Sequence, residues 1–132
     1  MYHAFFKAHA ATDSKIQASS AAAAAQLTNA TAALYHMTPD ELPELTAEVR
    51  KFNINVGAWY LQQQHYLAQQ RAAKKPPDMK ILIKNQHARQ RLIMNAHGAV
   101  HGTLKSSNWA GLRGYINSDF KTSWQQGKGA GQ

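Results

Sequence analysis

Large apolar residues recur in the middle of the chain at alternating spacings of four and three. This pattern is carried by Leu45, Val49, Phe52, Val56 and Trp59. Such spacing places all five side chains on one side of an α-helix, where they form a packing seam. Glutamines replace the pattern after residue 59, and Pro76-Pro77 disfavours a helix directly before it. We therefore predict a helix from about residue 43 to about residue 75, with this seam as a helix–helix interface.

The chain opens with a stretch rich in alanine, the strongest helix former. No Gly or Pro occurs from Tyr2 to Met37, and no Asp, Glu, Lys or Arg occurs from Ile16 to Met37. We predict one long Ala-rich helix here. Small side chains allow a second helix to approach closely, and the positions expected in that contact are Ala21, Ala22, Ala25 and Leu27. An oligomer lining a membrane or a channel is the alternative, but the composition favours a helix packed in a bundle.

Two further helices are predicted on either side of a glycine-spaced stretch. Asp78 can start a helix that runs to about Asn95, although residues 80–84 also fit a short strand. We favour the helix because no partner strand is visible elsewhere. Apolar residues at spacings of three and four predict a final helix over residues 108–125.

The expected fold is therefore all-α, with about four helices in a single helical domain at residues 1–126. A short turn is predicted at residues 38–42, where Thr38 and Pro39 suit a helix start. Residues 127–132 are expected to form a flexible Gly-rich tail.

Composition and motifs argue against an enzyme. The chain has 132 residues and no Cys, and it contains no phosphate-binding loop, nucleophile elbow or zinc-protease motif. His97 and His101 are spaced to share a metal ion, but no third ligand is nearby, so surface or interface histidines are the favoured interpretation. We predict no catalytic residue, cofactor or metal. Because large apolar residues are scarce, we expect an extended helical subunit that completes its core in an oligomer.

Charge is the most informative chemical feature. The formal net charge is +8, and a cationic stripe is expected along the third helix, with two lysines just upstream. The stripe and those lysines are Lys74, Lys75, Lys80, Lys84, His87 and Arg91. Such a stripe can neutralise phosphates in a nucleic acid, although a solvated helix face and a contact with an acidic partner remain equal alternatives. The acids clustered at residues 40–48 are expected to complement a helix dipole.

A resemblance adds to this interpretation. The Ala/Gln-rich N-terminal helix resembles those that open the small internal virion proteins of short-tailed (podovirus) phages. The stretch from Arg91 to Asn108 is similar too, with a helix, an Ala/Gly-spaced segment and a Ser-rich turn. The comparable positions are Ala96, Gly98, Gly102, Leu104, Ser106 and Ser107.

The resemblance implies a non-enzymatic structural protein that is made in the host cytoplasm and packaged inside the capsid. Its implied role is that of an internal core or ejection protein, which leaves with the genome and helps to form a conduit into the host. The implied partners are copies of itself, other virion proteins, DNA and the host membrane after ejection. A small basic nucleic-acid-binding protein and a head–tail connector or ring protein are the alternatives.

Overall fold

A computed structural model describes the backbone of residues 1–130 and the side chains of residues 1–127. The described residues are helical throughout apart from short connections, and they contain no strand, which confirms the all-α prediction. The helices are α1 (Tyr2–Ala18), α2 (Ala21–Leu34), α3 (Leu42–Ala72), α4 (Met79–Thr103), α5 (Ser106–Tyr115) and α6 (Lys121–Ala130). A 3₁₀ turn at Pro39–Glu41 precedes α3, and a π-helical segment at Ile116–Phe120 joins α5 to α6 without a break.

The N-terminal helix is interrupted, which corrects the prediction of one helix from residue 2 to residue 37. Ser19 closes α1 in an extended conformation, and Ser20 begins α2 by accepting a hydrogen bond from the Ala23 N–H on its side-chain oxygen. Serine is a favoured N-cap because its oxygen satisfies an N–H that the first helical turn leaves unpaired. The two serines therefore end one helix and start the next without any Gly or Pro.

The helix predicted from residue 78 to about residue 95 is α4 in the structure, and it is longer than predicted. Residues 80–84 belong to this helix and do not form a strand. Asp78 caps α4 by accepting the Lys80 N–H at 2.9 Å, and the helix continues past residue 95 to Thr103. Gly98 and Gly102 lie inside it, although glycine costs a helix interior about 1 kcal/mol relative to alanine. Buried Val100 and Leu104 at this end of α4 explain why the helix persists, since tertiary packing outweighs propensity.

The C-terminal segment is helical over more of its length than predicted. A helix begins at Ser106 instead of residue 108, and α6 extends to Ala130. Residues 127–130 of the predicted tail are therefore in a helix, and residues 131 and 132 lie outside the described residues.

The hydrophobic core lies at one end of the molecule. It is built where α1, the first part of α3, the last part of α4 and α5 meet, and we call this region the head. Its most deeply buried apolar side chains include Phe5, Phe6, Leu45, Leu112 and Ile116. The end of α2 and the following turn close it with Tyr35 and Met37. The head is thus assembled from both ends of the chain.

The rest of α3 and α4 forms an antiparallel hairpin that projects from the head. No residue from 53 to 94 is buried, and we call these residues the arm. The accessible surface of the chain is 8512 Å², whereas a compact monomer of 14.6 kDa is expected to expose about 6,900 Å². The excess of about 1,600 Å² reflects the extended shape that the arm gives the molecule.

Helix α5 approaches the turn after α2 very closely. That turn carries His36 at a φ of 58°, and the Met37 N–H donates to the Ala32 carbonyl across it at 2.9 Å. Gly111 of α5 faces the His36 carbonyl, and a Cβ at this position would overlap with that oxygen. The head therefore requires the absence of a side chain at residue 111.

A buried histidine ties three segments of the head together. His9 of α1 is fully buried, with its Nδ1 2.8 Å from the Tyr35 hydroxyl and its Nε2 2.8 Å from the Thr46 hydroxyl. A neutral imidazole has one donor and one acceptor nitrogen, and a hydroxyl can play either part, so the neutral ring satisfies both contacts. Burial lowers the pKa of His9 to about 4, which keeps the ring neutral near physiological pH.

Candidate functional site

The arm is held together by a few specific contacts between its two helices. The Trp59 indole N–H donates to the Asn85 carbonyl at 2.8 Å. Near the tip, the Asp78 N–H donates to the Tyr66 hydroxyl at 2.9 Å. The predicted seam of α3 runs from the head into this arm: Leu45, Val49 and Phe52 are buried in the head, and Val56 and Trp59 are half-buried against α4.

The predicted cationic residues lie together on one side of the arm. Lys80, Lys84, His87 and Arg91 are all exposed and line one open depression on α4, which Ile83 and Gln90 complete. The stripe from residue 80 to residue 91 is about 16 Å long at 1.5 Å per residue. Lys74 and Lys75 are exposed in the turn that precedes α4. We call the face formed by Lys80, Lys84, His87 and Arg91 the basic face.

The arm as a whole is strongly positive. Residues 53–94 contain seven Lys or Arg side chains and one carboxylate, Asp78, which is already used as the cap of α4. Arg89 points to the head and donates to Nδ1 of His3 at 2.6 Å. Burial and the adjacent guanidinium hold the pKa of His3 below its ordinary value. Because Asp78 is the one carboxylate of residues 53–94 and already caps α4, the arm has no further carboxylate to neutralise the basic face.

The opposite side of the arm is apolar and uncharged. Between residues 52 and 70, α3 contains no Asp, Glu, Lys or Arg. Its outward side presents Ile54, which is 72% exposed, and Leu61, which is 68% exposed. The arm therefore has a basic face on α4 and an uncovered apolar face on α3.

The small-residue contact predicted on α2 is not made within the chain. Ala21, Ala22, Ala25 and Leu27 are exposed, while the side of α2 that packs on the head carries buried Thr31 and Ala32. Their role in a contact between subunits stays a prediction.

The paired histidines of α4 flank an aromatic ring. The His101 ring stacks on Trp109 with centroids 4.6 Å apart, and His97 meets the same ring edge-on at 5.1 Å. Tyr2 contacts His97 from α1 at 4.6 Å. Over the described residues, no three His, Asp or Glu side chains are grouped closely enough to hold a metal ion. These histidines pack the junction of α1, α4 and α5.

Two of the clustered acids act at the start of α5, which is distant from them in sequence. The Glu41 carboxylate accepts the Lys105 N–H at 2.9 Å and a hydrogen bond from the Asn108 side-chain amide. Both hydrogen bonds lower the pKa of Glu41, and the one from Asn108 has the larger effect. Asp40 pairs with the Lys105 ammonium at 3.5 Å. A carboxylate beside a helix N-terminus is stabilising because it complements the helix dipole.

Several of these contacts could not be read from local patterns. His9 with Thr46, Asp13 with Arg50 and Glu41 with Asn108 join residues that are 37 to 67 positions apart. The apolar side of α3, by contrast, could have been predicted from the sequence. No Asp, Glu, Lys or Arg occurs between residues 52 and 70, so the outer side of this helix lacks the charges that an exposed helix usually carries.

No helix in the described part of the chain combines the length and the apolar character that crossing a membrane requires. Comparison of the chain with protein-family models, with curated proteins and with solved structures gives no match.

Proposed function

We propose that the protein is a non-enzymatic internal core or ejection protein of a short-tailed phage virion, which works in an assembly with copies of itself and other virion proteins. The observation that carries the assembly role is the uncovered apolar face of the arm, where Ile54 and Leu61 are exposed. Large apolar surface left in water is typical of a protein whose partner is absent. The virion setting rests on the resemblance of the N-terminal helix and of residues 91–108.

In this proposal the capsid interior is the site of action, and the basic face of α4 meets packaged DNA or an acidic surface of a neighbouring protein. The host membrane is a partner only after ejection. A head–tail connector or ring protein would share the helical, assembling character but would stay in the particle.

The test is the amount of the protein in particles produced from the genome that encodes it. We expect a fixed number of copies per purified particle and loss of the protein from particles that have released their DNA, as measured by quantitative mass spectrometry. A capsid subunit, which remains in emptied particles, serves as the internal standard. Retention in emptied particles would indicate a connector or ring protein, and absence from full particles would refute the virion role.

The basic face supports a second candidate function, namely sequence-independent binding of nucleic acid. Four exposed basic side chains, including His87, follow one another along α4 without an intervening carboxylate. Cations in such a row displace the counterions of a phosphate backbone, so binding weakens steeply as salt rises.

Charge reversal tests this second function. In the double variant Lys80→Glu and Lys84→Glu, we expect duplex DNA binding to be lost at moderate salt, and the slope of log affinity against log salt to fall by about 2. Fluorescence anisotropy with a short duplex of random sequence measures both quantities. The matched control is Lys7→Glu with Lys15→Glu, which makes the same change in net charge at exposed positions of α1. Equal losses in the two double variants would remove the basic face from this function.

A further inference from the structure

Helix α3 carries a second seam on the side that faces away from α4. Its members are spaced by 4, 3, 4 and 3 residues, and all five are exposed: Ile54, Ala58, Leu61, His65 and Ala68. At about 100° per residue, this outer seam lies almost opposite the inner one, which contains Val56 and Trp59. An exposed helix of this length normally bears charges on its outer side, and here the flanking positions are Gly57 and glutamines.

The composition of the outer seam specifies the kind of partner that fits it. A surface without Asp, Glu, Lys or Arg offers nothing to attract a phosphate backbone or an acidic protein, which the basic face would attract instead. It matches a second surface that is apolar and equally free of charge. The same seam on another copy meets this requirement, because a twofold contact brings identical patches together.

The length of the outer seam suits a contact between two helices. The outer seam runs from residue 54 to residue 68, which is about 21 Å of helix. The basic faces remain on the outer sides of the two arms, since α4 lies opposite the seam on each copy.

The order of large and small residues selects the direction of pairing. If the two α3 helices run antiparallel about an axis beside Leu61, Ile54 of one copy lies opposite Ala68 of the other, and His65 lies within one residue of the level of Ala58. Ile54 and His65 then each meet an alanine, and the two Leu61 side chains meet at the axis, which gives close packing along the seam. Parallel pairing would instead place Ile54 against Ile54 and Ala58 against Ala58, so that the gap between the helices would be uneven.

We propose that the outer seam of α3 binds the same seam of a second copy in an antiparallel pair whose twofold axis passes beside Leu61. The inference deepens the assembly role proposed above and rests on it. It names the partner, a second copy of this chain, and the face that binds it.

Disulfide trapping tests the pairing, because the natural chain has no Cys. In Leu61→Cys the two thiols would face each other at the axis, and mild oxidation should give a covalent dimer. Ile54→Cys alone should stay monomeric on a non-reducing gel, because the two thiols would lie about 21 Å apart along the helices. A mixture of Ile54→Cys and Ala68→Cys chains should form the mixed dimer. Tyr60→Cys, one residue from the axis but about 100° around the helix, is the matched control and should not cross-link.

Light scattering of the full chain completes the test. The natural chain should have twice its mass of 14.6 kDa, and Leu61→Glu should weaken dimerisation at least about tenfold, whereas Tyr60→Glu should not, because only residue 61 lies in the seam. Circular dichroism confirms that both variants keep their helix content. A monomeric natural chain, or self-cross-linking of Ile54→Cys as readily as of Leu61→Cys, would overturn the proposed pair. A monomer that is still found in virions would refute this pair alone, and a dimer that is absent from virions would refute only the virion role.

Discussion

Gly111→Ala is expected to destabilise the head, although alanine is the better helix former. The new methyl group would overlap with the His36 carbonyl oxygen, so α5 or the turn at residues 35–37 must move. Inserting a group into a well-packed site costs about 1–3 kcal/mol, and the rigid backbone at His36 favours the upper part of that range. Urea unfolding followed by circular dichroism measures the change in the free energy of unfolding.

Gly114→Ala is the matched control in the same helix. Nothing lies within 4 Å of the position that its Cβ would occupy, so only the helix propensity changes. We expect this substitution to stabilise the protein by about 0.5–1 kcal/mol. If Gly111→Ala stabilised the protein to the same degree, the close approach of α5 to the turn after α2 would be wrong.

The second large effect concerns pH. His9 has an ordinary pKa of 6.5 when unfolded and a pKa of about 4 when folded, so the unfolded chain binds a proton more readily. The stability that the neutral ring contributes is complete above pH 6.5 and is lost progressively as the pH falls from 6.5 to about 4. The loss amounts to roughly 3 kcal/mol across this window. The free energy of unfolding should therefore decline between these pH values, before most carboxylates are protonated.

His9→Gln removes the titrating group and isolates its effect. We expect a protein that is less stable near neutral pH by about 1–3 kcal/mol, because a buried hydroxyl loses its partner, but whose stability changes less between pH 6.5 and 4. The assignment to His9 fails if His9→Gln declines with pH as steeply as the natural chain.

The parts of the fold that could be predicted are those set by local chemistry. The apolar spacing of α3 and the capping by Asp78 depend on residues within one helix or one turn, so both appear in the structure near the expected places. The break at Ser19 and Ser20 was missed because serine is tolerated inside helices as well as at their ends. In this chain, the packing of α1 and α2 against the head places Ser19 and Ser20 at helix ends and not inside one continuous helix.

The candidate site was predictable to the same extent. The basic face follows from spacing along one helix, and the structure brings its members to one exposed depression. The role of His97 and His101 did not follow, because it depends on Trp109, which a separate helix supplies. The link between Glu41 and Asn108 was beyond local reasoning for the same reason. Tertiary contacts between distant segments carry no periodic signal in the sequence.

The arm also has a mechanical consequence. Its α3 segment extends about 30 Å from residue 53 to residue 72, and the guanidinium of Arg89 is braced against His3 near its base. A tilt of about 10° at that base would carry the tip, with Lys74 and Lys75, through about 5 Å. Because the arm is long, a small repacking within the head would therefore produce a much larger displacement of the charged tip.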